Sequence, residues 1–238
     1  MTLATVEMQR EKMATKKENT EILSRVMHDK DYTLVELFKE GDKYYIKKTV
    51  KPPKIFGYNL NFLAEYLCSR EIEALKRVKG LKNVQQFVRR ESSTSFISEY
   101  IKGKTVYDAG QVHRGYFDKL ERVIESVYSR GVAPVDVSHS KNMLVDYEGN
   151  PFIIDLAFSL IYEPNKREQV TTKFLLDNIR QLNKIKICKK KRKYQPSEMK
   201  SEEISLTKKT IPILIPWEAY RRIRRFIRYN LLNLPRKR

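Results

Sequence analysis

The stretch that decides the fold runs from Val135 to Leu160 and reads VDVSHSKNMLVDYEGNPFIIDLAFSL. Two short segments rich in apolar residues, Asn142–Tyr147 and Pro151–Ile154, are separated by Glu148-Gly149-Asn150. Glycine and asparagine tolerate the positive φ angles that tight turns require. The pattern therefore predicts a loop followed by a β-hairpin.

Three polar residues lie at the ends of this hairpin. Asp136 precedes it, Asn142 begins its first strand and Asp155 follows its second strand. A hairpin brings its two ends together, so Asn142 and Asp155 should be neighbours, with Asp136 on the loop beside them. Carboxylate and amide oxygens bind Mg²⁺ together with substrate phosphates, and a nearby aspartate can orient an attacking hydroxyl. The alternative is a surface hairpin with ordinary polar ends.

The order of these residues resembles the protein-kinase family, in which a catalytic Asp, a metal-binding Asn and the Asp of the DFG motif follow one another. The resemblance implies an α+β, two-lobed protein-kinase-like fold, with a small antiparallel N-terminal sheet carrying one helix and a helical C-terminal lobe. It also implies ATP and Mg²⁺ as cofactors. Asp136 would be the catalytic residue, and Asn142 and Asp155 the metal ligands.

The N-terminal lobe of such a fold supplies a lysine for the nucleotide phosphates. Tyr32–Phe38 and Lys43–Lys48 are typical of two strands. Lys47 follows two apolar residues and takes the place of that lysine, whereas Lys48 should point to the opposite face. No glycine-rich loop precedes this strand, and Gly41 alone cannot build the usual cradle of backbone N–H groups. The phosphate lid is therefore expected to differ.

Residues 61–79 carry apolar side chains at helical spacing and end at Gly80. The string Arg-Glu-x-x-Ala-Leu resembles the regulatory helix of kinases, which implies that Glu71 pairs with the phosphate-binding lysine. Glu73 is the rival, but it lies about 200° around the helix from Glu71, so only one of them can face the lysine.

The segment from Phe96 to Gly103 resembles the kinase strand that runs into the hinge between the lobes. This resemblance implies that backbone groups of Glu99 and Ile101 bind the adenine edge, with Ser98 lining the back of the pocket. The alternative is an edge strand that ends at a glycine.

Several departures separate the chain from typical protein kinases. Pro134-Val135 replaces the His-Arg pair, the spacing from Asp136 to Asn142 is one residue longer, and Asp155-Leu156-Ala157 replaces DFG. These features are similar to the small bacterial lipopolysaccharide core kinases (the Kdo/heptose group), which implies a lipopolysaccharide sugar or another membrane glycolipid as acceptor. An atypical serine/threonine protein kinase and a nucleotide-binding pseudokinase scaffold remain open.

The net charge of +19 over 238 residues favours partners that carry phosphate, such as anionic lipid, phosphorylated substrates or nucleic acid. An anionic membrane surface is favoured over nucleic acid, because no nucleic-acid motif is present. Cys68 and Cys188 are too few for a disulfide scaffold. With no signal core and no apolar run of about 20 residues, we expect a cytoplasmic protein, with peripheral attachment to the inner membrane open. No oligomeric state is predicted.

Changes in composition divide the chain into four parts. We expect a polar leader over residues 1–30, an N-terminal lobe over 31–103, a C-terminal lobe over 104–183 and a basic tail over 184–238. Within the leader, Glu21–Met27 favours a helix, and Lys189–Lys193 in the tail is typical of a solvated loop, with a nuclear signal as a rarer alternative. Trp217–Leu234 predicts an amphipathic helix that either contacts lipid or packs on the C-terminal lobe.

Overall fold

The N-terminal sheet of this computed structural model is built from hairpins, because turn residues separate strands rich in β-branched and aromatic side chains. The structure describes residues 25–30, 33–52, 54–55, 58–164 and 170–208. The five strands of the sheet are antiparallel in the order β1-β2-β3-β7-β6. They are β1 (Arg25–Lys30), β2 (Thr33–Glu40), β3 (Lys43–Val50), β6 (Phe87–Arg90) and β7 (Ser95–Glu99).

One long helix, α1 (Asn61–Arg77), accompanies this sheet and contacts β3, β6 and β7. A two-stranded hairpin of β4 (Lys54–Ile55) and β5 (Tyr58–Asn59) leads into it. The buried residues of α1 recur at helical spacing: they are Ala64, Cys68, Glu71, Ile72, Ala74 and Leu75. Gly80 follows the helix with φ of +79°, a conformation that glycine adopts without strain.

The N-terminal lobe begins earlier than predicted. Arg25–Lys30 forms a strand that pairs with β2, although the boundary was expected at residue 31 and a helix over Glu21–Met27. Of that range only Arg25–Met27 is described, and it lies in β1. The hydrogen bonds of the β1–β2 ladder outweigh a local helix preference, which is a weak predictor where tertiary pairing is available.

The C-terminal lobe contains the central hairpin and most of the remaining helices. The hairpin strands are β10 (Met143–Val145) and β11 (Pro151–Ile153), and β8 (Lys104–Thr105) completes a three-stranded sheet. A second pair joins β9 (Val132–Pro134) to β12 (Ser159–Ile161). The helices are α2 (Val106–Ala109), α3 (Tyr116–Ser129), α4 (Val170–Tyr194), a 3₁₀ turn at Pro196–Glu198 and α5 (Ser201–Thr207). These findings confirm the α+β, two-lobed architecture.

One hydrophobic core crosses both lobes. It joins buried residues of α1, such as Leu75, to those of the strands around the hairpin, such as Met143 and Ile153. The predicted amphipathic helix α3 supplies a complete face to this core, with Phe117, Leu120, Ile124 and Val127 buried. A continuous core fixes the position of the hairpin relative to α1, which matters for the site between them.

The basic run Lys189–Lys193 belongs to a packed helix and is not a solvated loop. It forms the end of α4, so the boundary predicted between residues 183 and 184 falls within a helix. Lys191 is only 2% exposed, and its Nζ lies 3.1 Å from Asp118 Oδ1 and 2.8 Å from Glu203 Oε1. These two carboxylates satisfy the buried charge, as burial of an ammonium group requires.

The predicted amphipathic helix Trp217–Leu234 lies outside the described residues. Among the described helices, none combines the length and the apolar character needed to cross a bilayer.

Candidate active site

Three charged side chains from three different elements meet between the lobes. Lys48 on β3 places its Nζ 2.7 Å from Oε1 of Glu71 on α1 and 3.0 Å from Oδ1 of Asp155. The Glu71 side chain is almost completely buried, while that of Asp155 is partly exposed. A lysine is therefore held by one buried carboxylate and one that is partly exposed.

The lysine that pairs with Glu71 is Lys48, so the prediction that Lys47 makes this pair is wrong by one residue. Side chains alternate along β3, and Lys48 shares its face with Val50. Val50 is buried in the same core cluster as Cys68 and Ile72 of α1, so this is the face that α1 covers. Lys47 lies on the opposite face. The buried Val50, two positions beyond Lys48, was the signal in the sequence that could have identified the correct residue.

Glu71, and not its rival Glu73, faces the lysine. Glu73 is 49% exposed and lies 3.4 Å from Nη2 of Arg77, one helical turn further along α1. The separation of about 200° between positions two apart on a helix explains why the two glutamates face opposite directions.

The helix that carries Glu71 is fastened to the segments on both sides of Asp155. Arg70 donates to the Ser159 carbonyl at 2.9 Å and Arg77 to the Tyr162 carbonyl at 2.7 Å. In the connection after α1, Val84 forms an isolated parallel bridge with Ile153 on β11. These bonds hold Glu71 and Asp155 at a fixed separation, on either side of Lys48.

The electrostatics of the cluster favour a charged lysine. Burial of Lys48 disfavours its ammonium form, but the carboxylates of Glu71 and Asp155 outweigh that effect and raise the pKa of Lys48 above its ordinary value. Burial raises the pKa of Glu71 to about 7, with Lys48 acting to lower it and Asp155 to raise it. At neutral pH the site thus presents a fixed positive charge that can meet a phosphate.

The loop that carries Asp136 is held by its own backbone and by Asn142. The Asp136 carbonyl accepts from the His139 N–H at 3.1 Å and from Nδ2 of Asn142 at 3.1 Å. The Asn142 N–H in turn donates to the His139 carbonyl at 2.8 Å. These bonds accommodate the longer spacing between Asp136 and Asn142 in a compact turn, and leave the Asp136 side chain exposed.

The hairpin brings Asn142 and Asp155 together, as its sequence predicts. Met143 pairs with Ile153, and the Ile154 N–H donates to the Asn142 carbonyl at 3.0 Å, so Asp155 follows directly after the residue bonded to Asn142. Asp155 has φ of +64°, in the left-handed region that non-glycine residues rarely adopt. Strained backbone of this kind concentrates at functional sites, where the surrounding structure holds it in place.

The donor set fits Mg²⁺. The amide oxygen of Asn142 and the carboxylate of Asp155 would supply oxygen ligands, and Nδ2 of Asn142 already donates to the Asp136 carbonyl. In the ranges that the structure describes, no group of three or more His, Cys, Asp or Glu side chains could hold a metal ion. A magnesium ion here would complete its coordination with water and substrate phosphates, which is its usual mode of binding.

The predicted hinge follows β7. The Glu99 N–H donates to the Gln86 carbonyl at 2.9 Å, which fixes the end of the strand. Ser98 is completely buried and accepts a hydrogen bond from Nε2 of Gln85 at 2.9 Å. Beyond Ile101, Gly103 passes so close to the Val145 carbonyl that an added Cβ would lie 2.6 Å from that oxygen. The hinge therefore runs directly against the central hairpin.

Gly41 takes no part in this site. It forms the β2–β3 turn with φ of +60°. In the β2–β3 ladder Lys48 pairs with Val35, close to Thr33, at the other end of the strands. Thr33 at the start of β2 lies at that end, and the two residues that connect it to β1, 31 and 32, lie outside the described residues.

No family model matches the chain. Two curated protein kinases of Arabidopsis thaliana are similar to part of it. CBL-interacting serine/threonine-protein kinase 15 is 26% identical over 108 residues, which cover 42% of this chain and 25% of that protein. CBL-interacting serine/threonine-protein kinase 13 is 27% identical over 114 residues, which cover 44% and 22%. The matched segment is thus about a quarter of the length of these relatives.

Solved kinase structures share the fold over most of the chain. The Rio2 kinase from Chaetomium thermophilum aligns with a TM-score of 0.54 at 14% identity, over 78% of this chain and 61% of that one. The Rio2 kinase complex with ADP, Mg²⁺ and phosphoaspartate aligns with a TM-score of 0.55 at 13% identity, over 81% of this chain and 61% of that one. The Cydia pomonella granulovirus kinase PK-1 aligns with a TM-score of 0.51 at 16% identity, over 87% of this chain and 85% of that one. The chain has the two-lobed protein-kinase-like fold.

Proposed function

We propose that this protein is an ATP- and Mg²⁺-dependent phosphotransferase that transfers a phosphoryl group to a hydroxyl. The observation that carries the proposal is the contact of Lys48 with both Glu71 and Asp155. In kinases the corresponding lysine pairs with a helix glutamate and with the nucleotide phosphates, and the corresponding aspartate holds the metal.

The remaining roles follow from position. Glu71 holds Lys48 so that its Nζ points towards the phosphates, and Asn142 with Asp155 binds the ion. When bound, Mg²⁺ neutralises charge on the phosphate oxygens. The exposed carboxylate of Asp136 orients the acceptor hydroxyl and accepts its proton. Backbone groups of Glu99 and Ile101 bind the adenine edge.

We infer that the acceptor is a sugar of lipopolysaccharide or of another membrane glycolipid. Support comes from the Asp136–Asn142 spacing, from Asp155-Leu156-Ala157 in place of DFG, and from the net charge of +19. The short connection also fits: β12 begins four residues after Asp155, and the chain enters α4 at Val170. A long segment for ordering a protein substrate is therefore missing from this part of the chain.

A protein acceptor is the second candidate. The curated relatives are serine/threonine kinases, and the Lys48–Glu71–Asp155 cluster would serve either acceptor. A pseudokinase scaffold is the third candidate, since such a protein would bind nucleotide without transferring phosphate.

Transfer of label from ATP labelled at its γ-phosphate separates these three. The full chain is incubated with Mg²⁺ and bacterial membranes, and the lipid extract and the protein fraction are counted separately. Asp136→Asn should lower transfer by about 10²-fold or more while ATP binding persists. Asp177→Asn, the same change on the exposed surface of α4, is the matched control and should transfer at the wild-type rate.

Label in the lipid extract supports the glycolipid acceptor, and label confined to protein overturns it in favour of a protein kinase. ATP binding without transfer to either fraction would leave the pseudokinase. Absence of ATP binding would refute the proposed function altogether.

A further inference from the structure

The end of α4 lies directly against the loop that carries Asp136. The side chain of Tyr194, the last residue of α4, lies beside that of Ser140, and both residues are buried. Ser140 lies between Asp136 and Asn142, and its carbonyl accepts from the Tyr107 N–H at 3.2 Å. The basic run at the end of α4 is thus next to the candidate catalytic loop.

Three lysines surround this contact. Lys193 places its Nζ 4.9 Å from the centre of the Tyr194 ring. The positive charge of Lys190 also acts to lower the pKa of Tyr194. Burial would raise the pKa of Tyr194, but the bonds to Ser140 and Lys193 and the two lysine charges lower it. From the loop itself, Lys141 places its Nζ 5.0 Å from the centre of the Tyr107 ring.

Two acidic residues near the end of α4 are already paired with another lysine. Asp118 and Glu203 both pair with the buried Lys191. Within the described ranges, neither Lys190 nor Lys193 has a carboxylate oxygen within ion-pair distance. The charges of the exposed Lys193 and the half-buried Lys190 are therefore available to an external anion.

Exposed aromatic side chains flank the same loop on two sides. Tyr107 is 55% exposed beside Lys141. Phe158 is 65% exposed, and its carbonyl accepts from the N–H of Val135, the residue before Asp136. Lysines combined with exposed aromatic rings suit a lipid interface, where the rings enter the boundary region and the cations meet head groups. A binding site for a peptide rich in carboxylates would require the lysines but not the exposed aromatic rings.

The chain leaves the described region at the same place. Nη1 of Arg192, in the basic run, donates to Oγ1 of Thr207 at 3.0 Å, which ties α5 to the end of α4. The sequence continues from residue 209 to 238 with many arginines, a tryptophan and a single acidic residue, Glu218. The sequence that follows α5 is therefore rich in positive charge and apolar side chains.

We propose that Lys141, Lys190 and Lys193, with Tyr107 and Phe158, form a docking surface for an anionic membrane, which holds the loop of Asp136 against a lipid-borne hydroxyl. We call this set the loop-side basic surface. The proposal rests on the proposed function and names the physical form of its acceptor.

Co-sedimentation of the full chain with vesicles tests the loop-side basic surface. One set of vesicles is phosphatidylcholine alone, and the other contains phosphatidylglycerol as well. The variant is Lys190→Glu/Lys193→Glu. The control is Lys79→Glu/Lys82→Glu, which makes the same change in net charge at exposed positions in the connection between α1 and β6. Melting temperatures establish that both variants are folded.

We expect wild-type binding to vesicles that contain phosphatidylglycerol and little binding to phosphatidylcholine. Since one lysine near an anionic surface contributes a factor of about five, Lys190→Glu/Lys193→Glu should bind at least about tenfold more weakly. The control should change by less than about threefold.

Equal losses in both variants, or no loss in either, would overturn the proposal. Retention on immobilised polyglutamate without binding to vesicles would overturn it in favour of an acidic protein partner. Stabilisation by Mg·ATP is measured on the same samples. If Mg·ATP stabilises the wild type but the wild type does not bind vesicles, only the membrane inference is refuted. If Mg·ATP does not stabilise the wild type, the proposed function is refuted.

Discussion

Replacing Lys48 by methionine, with Lys47→Met as the matched control, separates two adjacent residues whose environments differ sharply. Lys48 has a side chain only 12% exposed and lies within 3.0 Å of two carboxylates. Lys47 lies on the other face of β3. Methionine keeps most of the apolar stem of lysine and removes the ammonium group, with its charge and its two hydrogen bonds.

The expected loss of stability follows from burial of the pair. Removing one partner of a buried ion pair costs about 3–5 kcal/mol. The low end, roughly 3 kcal/mol, applies because Glu71, whose pKa is already raised to about 7, can take up a proton when Lys48 is absent. For a domain of this size that corresponds to a fall in melting temperature of about 6–12 °C. Lys47→Met should change stability by no more than about 0.5 kcal/mol.

The assay is thermal unfolding with and without saturating Mg·ATP. A ligand at 100 times its dissociation constant stabilises the folded state by about 2.7 kcal/mol, or roughly 5–11 °C here. The wild type and Lys47→Met should show this rise, and Lys48→Met should not. The reasoning is refuted if Lys47→Met loses the nucleotide-dependent rise while Lys48→Met keeps it.

Two further outcomes follow from buried charges. Because the pKa of Glu71 is raised from 4.5 to about 7, its contribution to stability is fully present below pH 4.5 and is lost as the pH rises through 7. As the pH rises from 4.5 through 7, the free energy of unfolding of the wild type should therefore fall relative to that of Glu71→Gln. Urea unfolding at each pH measures both, and parallel dependences of the two proteins on pH would contradict the raised pKa of Glu71. Lys191→Met leaves Asp118 and Glu203 without their shared cation and should lower the free energy of unfolding by about 3 kcal/mol. The control Lys189→Met, at an exposed position, should lower it by less than about 0.5 kcal/mol. Equal melting temperatures of the two variants would show that Lys191 is not buried between the two carboxylates.

Much of the site is predictable from local pattern. The turn residues around Gly149 define the hairpin, and the hairpin brings Asn142 next to Asp155 without any further information. The Arg-Glu-x-x-Ala-Leu string identifies Glu71 through its resemblance to the regulatory helix of kinases, and Glu71 is buried in α1. In both cases the signal lies within a few residues and does not depend on distant contacts.

The errors arise where a distant element decides the outcome. The choice between Lys47 and Lys48 depends on which face of β3 is covered by α1, and the two apolar residues before Lys47 suggested the wrong register. Arg25–Lys30 is polar and becomes a strand only because β2 offers a partner. Lys191 is one of several consecutive basic residues, and only the positions of Asp118 and Glu203 distinguish it from its neighbours.

The most direct test of the central claim is calorimetric titration of ATP into the wild type, Asp155→Ala and Asp177→Ala, with and without Mg²⁺. If Asp155 helps to hold the ion that binds the nucleotide phosphates, ATP binding should require Mg²⁺ in the wild type and in Asp177→Ala, and should be lost or strongly weakened in Asp155→Ala. Binding that is independent of Mg²⁺, or equally strong in Asp155→Ala, would contradict the phosphotransferase site.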